Sequence, residues 1–184
     1  AMLCALTDTA CGTLPGREKL TLETYVQLRA FERVVERANL RLMRLSGGRY
    51  ELRRASAAEN LRTQSGLSLS VLDHDSGALR GVRTLSGGET FLASLALALG
   101  LSDEIRSGAA GRGGVSLEAL FIDEGFGSLD AQTLEQALSV LSGLAGDTRL
   151  VGIISHVSEL KTAIDRQILV EKSRRGGSVC RIVL

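Results

Sequence analysis

Leu120-Phe121-Ile122-Asp123-Glu124-Gly125-Phe126-Gly127-Ser128-Leu129-Asp130 begins as an apolar run and ends as a polar turn. An apolar run opening near residue 117 predicts a buried strand over 117–122, of the kind an α/β sheet contains. The strand delivers two carboxylates at its C-terminal end, the edge where open α/β sheets hold ligands. Asp123 has the oxygen chemistry to hold Mg²⁺ through water, since that ion keeps part of its hydration shell. Glu124, projecting the other way from its neighbour, is placed to polarise an attacking water. Apolar strands also end in acidic residues for no catalytic reason, so the pair alone decides nothing. Asp130 is a good N-cap for a helix over 131–144 whatever else it does.

Working outward, Ile153-Ile154-Ser155-His156 ends a second apolar run over 149–154, and His156 falls on the same edge as Asp123. A lone histidine after a strand is equally a structural or surface group. A short helix near 157–164, a strand over 166–171 and a last strand over 178–183 follow, with Arg174-Arg175-Gly176-Gly177 as the tight turn between the final pair. Upstream, Ser86-Gly87-Gly88-Glu89 has the S-x-x-E spacing of a capping box ahead of a helix over 90–106. Its glycines let a ligand approach the backbone, and the helix end presents free N–H groups suited to a terminal phosphate. An ordinary capped helix would look the same. Residues 107–115, with four glycines, read as a loop.

Residues 1–19 are punctuated by Gly12, Pro15 and Gly16 and read as loosely structured. From Thr21 to Leu45 a helix is predicted: Leu28, Phe31, Val35, Ala38, Leu42 and Leu45 recur at three- and four-residue steps. Arg29, Arg33, Arg37 and Arg41 form a second stripe, which either meets DNA phosphates or is a solvated face paired with Glu32 and Glu36. Ser46-Gly47-Gly48 ends the helix. Tyr50 to Arg54, Leu67 to Leu72 and Leu79 to Arg83 read as strands, the last two joined by the turn Asp73-His74-Asp75-Ser76-Gly77. Arg83 reads as an exposed strand residue more readily than as a link to Ser86. Leu-Ser-Gly-Gly occurs at 45–48 and 85–88, but the first copy runs into a strand pattern and the second into an alanine-rich helix, so no repeat is inferred.

Composition narrows the class. A chain of 184 residues can bury a substantial core. Its longest apolar stretch falls short of the roughly 18 residues a membrane span needs, and Ala1-Met2-Leu3-Cys4 has no secretory pattern. Cys4, Cys11 and Cys180 are odd in number and lack metal-ligand spacing, which fits a reducing cytoplasm. Residues 1–62 hold 11 Lys/Arg against 7 Asp/Glu, and residues 63–184 hold 11 against 14, so the basic part is N-terminal. Aromatic residues are too few, at 3%, for a base-stacking platform.

Leu85–Glu89, Leu120–Asp130 and Ile153–His156, in that order, resemble the signature motif, Walker B with D-loop, and H-loop of ABC-type ATPases. Within that superfamily the run 121–130, with Gly125 where transporter subunits usually carry proline, is similar to bacterial SbcC, an SMC-like DNA-repair ATPase. So is the segment from 22–25 through 37–39 to 46–52. No G-x-x-x-x-G-K-[ST] phosphate loop and no upstream Q-loop glutamine is present. The resemblance implies an α/β fold, the C-terminal lobe of an ABC-type head over 21–184. Its largely parallel sheet would be flanked by helices, with an antiparallel hairpin region near 49–84 and a long N-terminal helix; residues 1–20 would end a coiled coil or linker. It further implies a cytoplasmic, nucleoid-associated protein whose cofactors are ATP and Mg²⁺. Its partners would be the N-terminal Walker A lobe of the same protein, a second head forming a homodimer, an SbcD-like nuclease subunit and double-stranded DNA, with no membrane role. Ser86, Gly87, Gly88, Glu89 and Asp130 would bind nucleotide, with Ser86 and Gly88 on the γ-phosphate of the other head's ATP and Asp130 across the dimer seam, while Asp123, Glu124 and His156 would serve the site within their own head. Another SMC-like half-head, or a stand-alone protein- and DNA-interaction module, is the alternative.

Overall fold

Thr21 starts a long helix by accepting the Thr24 N–H on its hydroxyl, at 3.1 Å. The computed structural model describes residues 7, 10–12, 21–55, 67–109, 117–145, 150–173 and 176–183. Most of the stretch 1–20, much of the loop 107–115 and the arginines of the turn 174–177 therefore lie outside the described residues. Helix α1 spans Leu22–Leu45 and buries Leu28, Val34, Val35, Ala38, Leu42 and Leu45 along one side. The Ser46 hydroxyl donates back to the Leu42 carbonyl and closes the helix. Strands β1 (Tyr50–Arg54), β2 (Leu69–Asp73) and β3 (Ala78–Gly81) then form an antiparallel sheet in sequence order, with Leu52 opposite Val71 at its buried centre. A 3-10 turn over Val82–Thr84 carries Arg83 to solvent, so it belongs to no strand.

Helix α2 spans Gly87–Ala109, starting three residues before the predicted Thr90 and running through Gly100 without a break. Gly100 has no side chain because α1 lies directly over it: a Cβ there would stand 2.6 Å from Ala38 N and 2.7 Å from Val34 O. This crossing also explains the arginine stripe. Arg33 and Arg37 both bind Glu104 of α2, at 2.6 and 2.8 Å, and Arg41 binds Asp103 at 3.0 Å. Only Arg29 takes the partner expected within α1, Glu32, at 3.1 Å. The expected pairing with Glu36 is thus replaced by pairing across the helix crossing. Each pair contributes little alone, but together these half-buried contacts favour one pairing of the faces of α1 and α2.

Strand β4 (Ala119–Asp123), helix α3 (Ala131–Ala145) and strand β5 (Leu150–Ile154) make a β-α-β unit whose strands are parallel, Ile122 opposite Ile153 and Asp123 opposite Ile154. A short helix α4 (Ser158–Ala163) leads to an antiparallel pair, β6 (Gln167–Lys172) and β7 (Ser178–Val183). One core joins α1, α2, α3 and the inner sides of β1, β2 and β4, with Ala38, Leu99, Phe126 and Ala137 almost wholly enclosed. Among the described strands the parallel part is this one pair, and the other pairings are antiparallel.

The parallel pair is covered on one face only. Ile122 is buried, yet Phe121 is 66% exposed, Leu150 63% and Ile154 55%. Parallel sheets are normally buried on both faces, and a two-stranded one is marginal by itself. Ile168, Val170, Val179 and Ile182 of the β6–β7 pair are likewise exposed.

Asp73 anchors the antiparallel sheet. It is 3% exposed and accepts hydrogen bonds from Arg49 at 3.2 Å, Arg80 at 3.3 Å and the Asp75 N–H at 3.1 Å. The Arg49 guanidinium, against the opposing effect of burial, holds its carboxyl below the ordinary range. Arg80 Nε is buried and finds no acceptor among the described residues, so Asp73 supplies the main compensation for that guanidinium. Asp73→Ala is expected to lower the melting temperature by roughly 5 °C, because the half-buried Arg49 and Arg80 lose their shared counter-ion. Thermal unfolding followed by circular dichroism checks this; an unchanged midpoint would contradict it.

Candidate functional site

The site residues fall into two groups, set by where the chain turns. At the end of β4 the Glu124 N–H donates to Ile154 O at 2.9 Å, continuing the ladder one residue past the strand. The chain then reverses: Glu124 has φ 61° and Gly125 φ 95°. A left-handed glutamate costs about 1–2 kcal/mol over an ordinary conformation, and such outliers concentrate at functional sites. The reversal aims the Glu124 carboxylate at His156, whose Nδ1 lies 2.9 Å from one oxygen and 3.2 Å from the other. Both side chains are largely open to solvent, His156 80% and Glu124 53% exposed. Asp123, also exposed, ends β4 beside them. Among the described residues no group of three or more His, Cys, Asp or Glu is arranged to hold a metal ion. A cation here would take Asp123 and fill its remaining positions with water and substrate oxygens, a donor set that suits Mg²⁺.

The second group surrounds the start of α2. The capping box is formed in full: the Ser86 N–H donates to Glu89 Oε2 at 2.8 Å and the Glu89 N–H donates to Ser86 Oγ at 3.3 Å. Glu89 also accepts the Tyr50 hydroxyl at 2.5 Å. Burial opposes ionisation of Glu89, but the hydrogen bonds from Tyr50 and Ser86 and the charge of Arg80 outweigh it and hold the carboxyl below its ordinary range. Burial and the Glu89 carboxylate push the Tyr50 phenol up.

The turn after β4 packs directly on this helix start. A Cβ at Gly88 would stand 2.9 Å from the Ser128 carbonyl oxygen and 3.4 Å from Leu129 Cδ2, so the glycine allows the two segments to touch. Phe126, 1% exposed, meets Phe91 edge-to-face at 4.9 Å between centroids and pins the turn to α2. Asp130 caps α3 as expected, accepting the Thr133 N–H at 2.8 Å and its hydroxyl at 3.0 Å. The Thr133 N–H, then its hydroxyl, hold the Asp130 carboxyl below its ordinary range. Ser86, Gly88, Glu89, Ser128 and Asp130 line one cavity of about 240 Å³, together with Arg49 and Tyr50.

Sequence reasoning assigns Glu124 and His156 to one edge, and the structure puts them in contact. It assigns Ser86, Gly87, Gly88, Glu89 and Asp130 to nucleotide from separate motifs, and all of them but Gly87 line one cavity. In sequence Tyr50 is visible only as the start of a strand. The available signal is chemical: a tyrosine on the buried side of a strand must satisfy its hydroxyl.

Residues 56–143 match the family model described as SbcC/RAD50-like, Walker B motif. The chain is 42% identical over 97% of its length to the SbcC component of the SbcCD nuclease of Treponema pallidum, and 52% identical over 80% to that of Staphylococcus haemolyticus. It spans only 17% and 14% of those curated relatives. Among solved structures, one from work on ATP-driven dimerization and DNA-stimulated activation of SMC ATPases superposes with a TM-score of 0.67 at 18% identity, covering 88% of this chain and 89% of that one. The SMC head domain from Thermotoga maritima gives 0.56 at 23% identity, covering 88% and 51%. At these identities the two structures speak for the fold.

Proposed function

Because the chain belongs to the SbcC/RAD50-like family, we propose that it forms the C-terminal lobe of an ABC-type ATPase head. The observation that carries this reading is the parallel pair β4–β5, bare on one face and ending in the Glu124–His156 contact. A second lobe laid against Phe121, Leu150 and Ile154 would cover that face and bring a phosphate loop to the carboxylates. In the assembled head Asp123 holds Mg²⁺, Glu124 accepts a proton from the attacking water, and His156 orients Glu124 and senses the terminal phosphate. Mg²⁺ supplies charge neutralisation on the phosphate oxygens. Ser86 and Gly88 present the start of α2 to the terminal phosphate of ATP bound by a second head, with Asp130 at the same seam.

In the longer protein, head pairing and opening gate a nuclease partner acting on double-stranded DNA. The relatives' own name, which places them in the SbcCD nuclease, supports that partner. A DNA-facing role for the α1 stripe narrows to Arg29 and Arg33, which keep 61% and 56% of their side-chain surface in solvent, since Arg37 and Arg41 keep only 37% and 24%. The same ion pairs weigh against a stand-alone interaction module built on a free basic face. No helix among the described residues is long and apolar enough to cross a membrane.

Titration of labelled ATP tests the reading. The chain alone is expected to bind ATP weakly and turn over none. Adding the phosphate-loop lobe is expected to restore Mg²⁺-dependent hydrolysis, and failure of that complementation counts against the ATPase assignment.

A further inference from the structure

We propose that Tyr50 is a positioning residue for the start of α2: through Glu89 it fixes Ser86 in the geometry that meets the terminal phosphate of the opposing head's ATP. The inference rests on the ATPase reading above and adds a residue that lies outside all three sequence motifs.

Tyr50 opens β1 and is 6% exposed. Two guanidinium groups lie over its ring, Arg49 at 4.9 Å and Arg80 at 5.8 Å from the ring centre. The ring is thus held by both cations, and its hydroxyl is delivered to Glu89 Oε1. The second oxygen of Glu89 takes the Ser86 N–H. One carboxylate therefore bridges a residue of the antiparallel sheet and the residue that begins α2. A capping-box glutamate bound only to its own helix keeps rotamer freedom; here a charge-assisted hydrogen bond from a rigid aromatic removes it. Arg49 and Arg80 are both bound to Asp73, so the support behind Tyr50 reaches into the centre of the sheet.

Such an arrangement predicts an effect confined to the interaction across two heads. Tyr50→Phe keeps the ring and its packing and removes the hydroxyl. In the head assembled with its phosphate-loop lobe, turnover at saturating ATP is expected to fall roughly five- to tenfold, the scale of one ordinary hydrogen bond, because Tyr50 acts on Ser86 only through Glu89. ATP affinity of unpaired heads is expected to stay unchanged, and ATP-dependent pairing is expected to weaken by a similar factor. Because Tyr50 acts through Glu89, Tyr50→Phe combined with Glu89→Ala is expected to lose no more than Glu89→Ala alone. Turnover of Tyr50→Phe within twofold of wild type overturns the inference while leaving the ATPase reading intact. So do multiplying losses in the double variant, or an equal loss of ATP affinity in unpaired heads. A wild-type head that fails to hydrolyse ATP overturns both.

Discussion

Glu124→Gln, introduced into the head assembled with its phosphate-loop lobe, is expected to lower ATP turnover at least a hundredfold, the scale of losing a general base. The substitution is close to isosteric, so its effect isolates charge and basicity. Glutamine can still contact His156, which sits 2.9 Å from the carboxylate. It leaves the backbone bond from residue 124 to Ile154 O in place. The side chain is half exposed, so folding stability is expected to change by less than about 0.5 kcal/mol. ATP binding and head pairing are expected to survive, giving a head that closes on ATP without hydrolysing it. Steady-state turnover beside a pairing assay by gel filtration separates the two properties. A variant that hydrolyses ATP within threefold of wild type removes Glu124 from the role of base.

The same residue offers an independent check through its backbone. Glu124 holds a left-handed φ of 61° while its side chain is largely solvated, so the conformation is not repaid by burial. Glu124→Gly is expected to raise stability by up to about 1 kcal/mol as it abolishes turnover. Opposite signs for stability and activity at one position would mark the strain as serving the reaction.

These residues differ in how visible they are in sequence, and the difference is physical. Strands β4 and β5 announce themselves as short apolar runs, and helix α1 by apolar residues at every third and fourth position, because burial acts on one side of the helix. The carboxylates and His156 are visible because they stand where those runs stop. The predicted start of α2 falls three residues late: glycine is a poor helix former, so Gly87 and Gly88 read as a turn. The helix includes them because Gly88 must touch Ser128. Partners across elements leave no local trace. The spacing of Arg33, Arg37 and Arg41 suggests acids on their own helix, while Glu104 and Asp103 come from α2, more than 60 residues away. Tyr50 is hidden for the same reason, since its hydrogen bond to Glu89 joins residues 39 apart. The sequence likewise shows strands without showing their neighbours, so one parallel pair with a bare face could not be told from a complete sheet.

Gly125→Ala is expected to destabilise the chain by about 2–4 kcal/mol and to abolish turnover in the assembled head, from two faults at one position. The first is conformational: φ of 95° is one that L residues rarely adopt. The second is steric, since a Cβ built at Gly125 falls into the Phe91 ring. Phe91 has little room to retreat, because it packs edge-to-face on the enclosed Phe126. The chain would relieve both faults by reversing the peptide at 124–125, and that movement carries Glu124 away from His156. Proline is worse placed, since its ring demands a φ near −65°; the glycine here is therefore a structural requirement of this turn, whatever residue related ATPases carry there. Combining Gly125→Ala with Phe91→Ala separates the two faults. Removal of the ring is expected to recover the steric part of the stability loss and none of the turnover, because the backbone at 125 still cannot hold its angle. Recovery of turnover in the double variant would instead show that the ring contact alone fixes Glu124.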